Sequence, residues 1–152
     1  METSSNGWSA SKDPNEIHIK PFLVKGTDIK LRCNAICGPI LSGFASEFHA
    51  KVEPIDVGNY DDWGYAYRPI RGETTGLSNH ASGTAIDLNS SHHPLGKANT
   101  FKPEQVKMIH ELIKKYGLRW GGDYKTRKDD MHFEIVETPT QVKARIIAMK
   151  LA

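Results

Sequence analysis

The spacing of apolar residues divides the chain into strand-like and helix-like stretches. Ile17 and Ile19 alternate with Glu16, His18 and Lys20, which predicts a short strand. Pro21 to Val24 can prolong it, and Gly26-Thr27-Asp28 reads as a turn. Ile40, Leu41, Phe44, Phe48 and Val52 then recur at helical spacing. Pro39 suits the first turn of that helix, an earlier kinked turn through Asn34 to Cys37 is compatible with it, and Glu53-Pro54 ends it. Trp63 to Arg68 alternates aromatic and small residues and predicts a strand, and Thr84 to Leu88 predicts another. Asn89 to Thr100, rich in Ser, His, Pro and Gly, is a loop.

The second half carries clearer punctuation. Pro103 at a first helical position, Gln105 at the third and Gly117 at the end frame a helix. Its buried face is Val106, Ile109, Leu112, Ile113 and Tyr116. Leu118 to Trp120 is a short strand and Gly121-Gly122-Asp123 a tight turn. From Met131 to Val136 the pattern alternates again, with Met131, Phe133 and Ile135 for a core and His132 and Glu134 for the opposite face. Thr138-Pro139-Thr140-Gln141 is a capping box that opens a last helix reaching about Lys150, with Val142 and Ile146 among its inward residues. Strand, helix, strands, helix, strands, helix predicts an α+β fold, a small and mainly antiparallel sheet with helices packed on it. The polar residues 1–14 read as a loose N-terminal arm, and 15–152 as one domain. The length of 152 residues suits a single core.

Composition narrows the functional classes. The hydrophobic fraction is 38% and the formal charge +2, too small to argue for nucleic acid and compatible with mild attraction to an anionic surface such as a cell wall. No run of about 18 apolar residues exists, so no membrane insertion is expected. The N-terminus lacks an apolar signal core, so synthesis in the cytoplasm without a classical signal peptide is expected. Cys33 and Cys37 have no neighbouring metal-ligating partners and read as reduced thiols, at least one of them in the core.

Candidate chemistry lies in two stretches, Ser78 to Asp87 and Asp129 to Glu134. His80, Asp87 and His132 supply two imidazoles and a carboxylate, a ligand set for Zn2+ that leaves a position open for water and keeps net positive charge on the metal. Gly83 lets the backbone turn between the first two. Amide hydrolysis also needs a base. Asp129, three residues before His132, is the candidate, with Asp130 and Glu134 as rivals. Arg68 is the candidate for stabilising the oxyanion and Arg71 its rival. His92 and His93 follow the Asp87 strand, and a substrate contact is plausible there. His18, His49 and His110 read as structural or exposed.

These residues resemble a known family. Ser78-Asn79-His80-Ala81-Ser82-Gly83-Thr84-Ala85-Ile86-Asp87 is similar to the SxHxxGxAxD motif of the D-Ala-D-Ala peptidase family of zinc enzymes, and Asp129-Asp130-Met131-His132 to its second motif. Tyr67 to Gly72 resembles the tyrosine-arginine segment ahead of the first motif, and Trp120-Gly121-Gly122-Asp123 resembles the phage-type branch. The resemblance covers roughly Trp63 to Glu134. It implies the fold of the hedgehog and D-Ala-D-Ala-peptidase group. It also implies zinc at His80, Asp87 and His132 and a catalytic carboxylate at Asp129. Substrate contacts are expected at Arg71, Ser78 and His93. Carboxypeptidase branches often carry glutamate where Asp129 stands, so the aspartate favours the endolysin-like branch.

The activity implied is therefore a peptidoglycan peptidase cutting the stem peptide. L-alanyl-D-glutamate cleavage by a monomeric phage endolysin, reaching the cell wall through a holin, is expected first. A D-alanyl-D-alanine carboxypeptidase or dipeptidase is the alternative, and a non-catalytic zinc-stabilised binding module is the alternative from another class. No cell-wall-binding repeat is present, so either the domain finds its substrate alone or the chain is the catalytic part of a longer lysin.

Overall fold

The computed structural model describes residues 1–70 and 76–151. They form an α+β fold whose strands pair antiparallel in three small sheets, with three α-helices packed around them. The strands are β1 (Glu2–Thr3) with β2 (Ser9–Ala10), β3 (Ile19–Leu23) with β4 (Lys30–Asn34), and a sheet ordered β5 (Ala85–Asp87), β7 (His132–Ile135), β6 (Leu118–Trp120). The helices are α1 (Gly38–Lys51), α2 (Pro103–Tyr116) and α3 (Pro139–Met149). Among the described residues no helix is long and apolar enough to cross a membrane.

The helices begin and end where their local chemistry directs. In α2, Pro103 leads and the Gln105 side chain accepts from the Lys102 backbone N–H at 2.9 Å, while Gly117 closes the helix in the left-handed region. In α3 the capping box is complete. Thr138 Oγ1 accepts from Gln141 N at 3.2 Å, and Gln141 Oε1 accepts from Thr138 N at 2.9 Å. Such a cap contributes about 1 kcal/mol.

The core explains which face of β7 is left for chemistry. Ile40, Leu41, Phe44, Ala45 and Phe48 of α1 are fully buried. Phe133, at the middle of β7, meets Phe44 at 4.6 Å and Phe48 at 5.7 Å between ring centroids, and Trp120 stacks near-parallel on it at 6.4 Å. A buried phenylalanine contributes on the order of 2–3 kcal/mol by area alone. With Phe133 held this way, strand alternation sends His132 and Glu134 to the other face.

Several sequence expectations need correction. The strand expected from Glu16 begins at Ile19, because Asp13 caps a 3-10 turn over Pro14–Ile17. Its partner β4 went unrecognised: only Leu31 and Cys33 of Lys30–Asn34 are apolar, and their burial depends on α1. Trp63 to Arg68 forms no strand beyond an isolated bridge of Trp63 to Asp87. Its donors serve three partners instead of one ladder. Trp63 N reaches Asp87 O at 2.9 Å, Tyr65 N reaches Arg32 O at 2.7 Å, and Ala66 N reaches His80 O at 3.1 Å.

The N-terminal residues are also not loose. Trp8 is 4% exposed and its indole N–H donates to Glu137 O at 2.9 Å. Asn6 Nδ2 donates to Thr84 Oγ1 at 2.8 Å and Ile135 O at 2.9 Å. A run that reads as solvated is strapped down because its polar groups find partners on β7 and on the residue before β5. Cys33 and Cys37 are both buried and free, as expected.

Candidate metal centre

The three expected ligands meet because of strand register. Asp87 on β5 stands directly opposite His132 on β7. His80 arrives from the 3-10 turn Asn79–Ser82, which Ser78 caps by accepting from His80 N at 3.2 Å. Gly83 closes that turn with φ +71°, and a Cβ there would lie 2.3 Å from Ile19 Cδ1 and 2.6 Å from Asn34 N. Only glycine meets both demands. Gly64 serves the site differently. A Cβ on it would lie 2.2 Å from Arg32 O, and its own carbonyl sits 2.8 Å from His80 Nδ1.

One potential ligand atom from each of His80, Asp87 and His132 lies within 4.8 Å of the others, and all three residues are buried. With Nδ1 against Gly64 O, the His80 ring turns Nε2 inward. That atom is buried with no hydrogen-bond partner and lies 3.3 Å from Asp87 Oδ1. An imidazole nitrogen and a carboxylate oxygen turned toward each other in this way can share a bound cation. His132 has the same polarity in reverse: Nε2 is 2.6 Å from Glu134 Oε1, while Nδ1 faces Asp87 Oδ1 at 3.1 Å and Asp129 Oδ2 at 4.0 Å. Burial alone would raise the Asp87 carboxyl, but the neighbouring His80 and His132 outweigh it and hold it well below the usual range. Burial would likewise lower His132, but its hydrogen bonds to Asp87 and Glu134 raise it. Two imidazoles and a carboxylate with their donor atoms turned together fit a divalent cation.

The rivals for the catalytic carboxylate are already engaged. Asp130 Oδ2 accepts from Thr100 N at 3.0 Å and Thr100 Oγ1 at 2.6 Å, and the residue is buried. Glu134 accepts from His132 and from the Tyr124 hydroxyl at 3.0 Å, so it orients a ligand. Asp129 Oδ1 is buried without a hydrogen-bond partner. Burial raises its carboxyl; His132 opposes this, the Asp87 charge adds to it, and His80 and Arg68 oppose it. A carboxylate raised in this way, facing the ligands, has the properties of a general base.

A cleft of about 300 Å³ opens over these groups. Arg68, Ser78, Asp87, Asp129 and His132 all line it. Arg71 lies outside the described residues. His93 does not line the cleft. It is 2% exposed, stacks on Phe101 at 3.8 Å, and contacts Thr100 Oγ1 at 2.6 Å and Glu53 Oε2 at 3.0 Å. The substrate contact expected of it is corrected to a packing and hydrogen-bonding role, because the loop after β5 turns it inward. Arg119, Tyr124 and Arg127 line the cleft and were missed. Arg119 was recoverable: it alternates outward between Leu118 and Trp120 and lies opposite Glu134 across the strands. Tyr124 and Arg127 stand in a loop with no period to read.

A family model described as D-alanyl-D-alanine carboxypeptidase matches residues 71–135, the span that holds His80, Asp87, Asp129 and His132. No curated protein and no solved structure matches the chain. The family match covers less than half of the 152 residues, and within it lies the buried His-Asp-His group that could hold a metal ion.

Proposed function

We propose that the protein is a zinc-dependent peptidoglycan peptidase that hydrolyses an amide bond of the stem peptide, most specifically the L-alanyl-D-glutamate bond, in the manner of a phage endolysin. The observation that carries this reading is the convergence of His80, Asp87 and His132 beneath a cleft into which Asp129 also faces. Bound zinc would supply Lewis acidity toward the scissile carbonyl and toward water.

The chain's own residues supply the remaining chemistry. Asp129 takes the proton of the attacking water and returns it to the leaving nitrogen, the task for which an unpartnered, raised carboxylate is suited. Arg68 lines the same cleft and offers a fixed cation for the developing oxyanion; Arg71 is the neighbouring candidate. Glu134 and Tyr124 fix the tautomer and orientation of His132.

A second reading, removal of a terminal D-alanine, is favoured by the description of the matching family model. Asp129 in place of the glutamate common in carboxypeptidases favours the endopeptidase. Mass spectrometry of purified peptidoglycan after digestion separates the two. New N-terminal D-Glu or D-isoGln is expected, release of free D-Ala supports the second reading, and neither product overturns both.

A further inference from the structure

The floor of the cleft and its rim differ in how their charges are engaged. On the floor, Asp87 faces His80 and His132, and Glu134 is bonded by His132 and Tyr124. On the rim, Arg119 and Arg127 are exposed, and neither guanidinium joins an ion pair among the described residues. Arg145 shows what a committed arginine looks like in the same fold, with Nε and NH2 forked onto Glu137 at 2.8 and 2.9 Å.

Both arginines line the cleft from anchored backbone. Arg119 projects from β6, opposite Glu134, and its guanidinium lies 4.6 Å from the centroid of the Tyr124 ring. Tyr124 in turn donates to Glu134, which holds His132. Arg119 is thus one aromatic ring away from the group that orients a candidate ligand. Arg127 comes from the loop before Asp129, which is tied to the facing loop by Gly96 N donating to Lys128 O at 2.8 Å. Guanidiniums outside any ion pair at the rim of a cleft suit a planar anion, and a carboxylate matches their fork geometry.

We infer that Arg119 and Arg127 form a subsite for a free α-carboxylate on the amino acid released from the scissile amide. The inference rests on the peptidase reading above and specifies its substrate class. Whether the leaving residue is D-glutamate or a terminal D-alanine, its α-carboxylate is one carbon away from the leaving nitrogen. The same subsite therefore serves either bond, and it disfavours stem peptides in which that carboxyl is amidated. Amidation removes the negative charge and replaces an acceptor oxygen with a donor.

The test uses the zinc-loaded full chain and matched stem peptides with the leaving residue's α-carboxyl free or amidated. The free acid is expected to exceed the amide in kcat/KM by about tenfold or more. In the double variant Arg119→Gln, Arg127→Gln that ratio should fall toward one, with folding and zinc content retained. Equal rates on acid and amide by the unaltered protein would overturn the subsite and leave the peptidase reading standing. A preference that survives in the double variant would overturn its assignment to these arginines. Failure to cut either peptide would defeat the peptidase reading, and the subsite with it.

Discussion

Asp87 and His132 face each other across β5 and β7, with Asp87 Oδ1 3.1 Å from His132 Nδ1. Two of the three candidate ligands are thereby fixed by strand register, and a slip of one strand by one residue would turn its ligand to the opposite face. His80→Ala and His132→Ala should each abolish stoichiometric zinc binding and peptidase activity. Metal content after dialysis against zinc, measured with turnover on the same samples, checks this. Retained activity in a metal-free variant would sink the assignment.

The contact of His132 Nε2 with Glu134 Oε1, at 2.6 Å, gives the ligand its outer partner. Glu134→Gln keeps the shape but removes the charge that makes the imidazole a better donor. A loss of about 10–100-fold in zinc affinity is expected. Competition with a chelating dye measures it without reference to catalysis, and an unchanged affinity would show that Glu134 is not that partner.

Asp129 is separable from the ligands. Its Oδ2 is 4.0 Å from His132 Nδ1, and its Oδ1 has no hydrogen-bond partner. Asp129→Ala should therefore retain zinc while lowering kcat by about 10²–10⁴-fold. If the variant lost its metal as well, the roles of Asp87 and Asp129 would have to be reassigned.

Trp8 ties the N-terminal residues to the body of the protein through its burial and its bond to Glu137 O. Truncating it leaves a cavity and an unpaired carbonyl. Trp8→Ala should cost about 3–5 kcal/mol. Denaturant unfolding monitored by circular dichroism reads the change, and a loss within about 0.5 kcal/mol would mean that the docked segment contributes little.

Glu47 sets an acid limit far from the metal. Burial acts to raise its carboxyl, but hydrogen bonds from Lys115, Lys51 and Tyr116 outweigh it and lower it from 4.5 to about 2. A carboxyl lowered on folding stabilises the native state above its unfolded value. That stability is lost as the pH falls from about 4.5 toward 2. In Glu47→Gln this part of the pH dependence should flatten. Thermal melts at a series of pH values compare the two proteins, and parallel curves would count against the linkage.

The helices were legible because their punctuation is local. Pro103, Gln105 and Gly117, and Thr138 with Gln141, act on backbone groups only a turn away, and the structure realises each of them. β4 and the docked N-terminus were not legible. Lys30–Asn34 carries a weak pattern, and Asn6 bonds to Thr84 and Ile135, far along the chain. Trp63 to Arg68 misled because alternation records which side chains can share a face. It does not record where the backbone donors go.

The sequence by itself determined the donor set, because ligand chemistry requires imidazole and carboxylate groups and those stand in two recognisable stretches. It also determined which face of β7 they occupy, since alternation puts His132 and Glu134 opposite Phe133. Only the tertiary structure decided which of the carboxylates are hydrogen-bonded and which keeps an oxygen without a partner. Asp129, Asp130 and Glu134 are close in sequence and alike in chemistry. Thr100 engages Asp130, His132 and Tyr124 engage Glu134, and Asp129 is left facing the cleft. Thr100 stands 30 residues from Asp130 and Tyr124 ten from Glu134, and which carboxylate oxygens they reach depends on packing that no local pattern encodes.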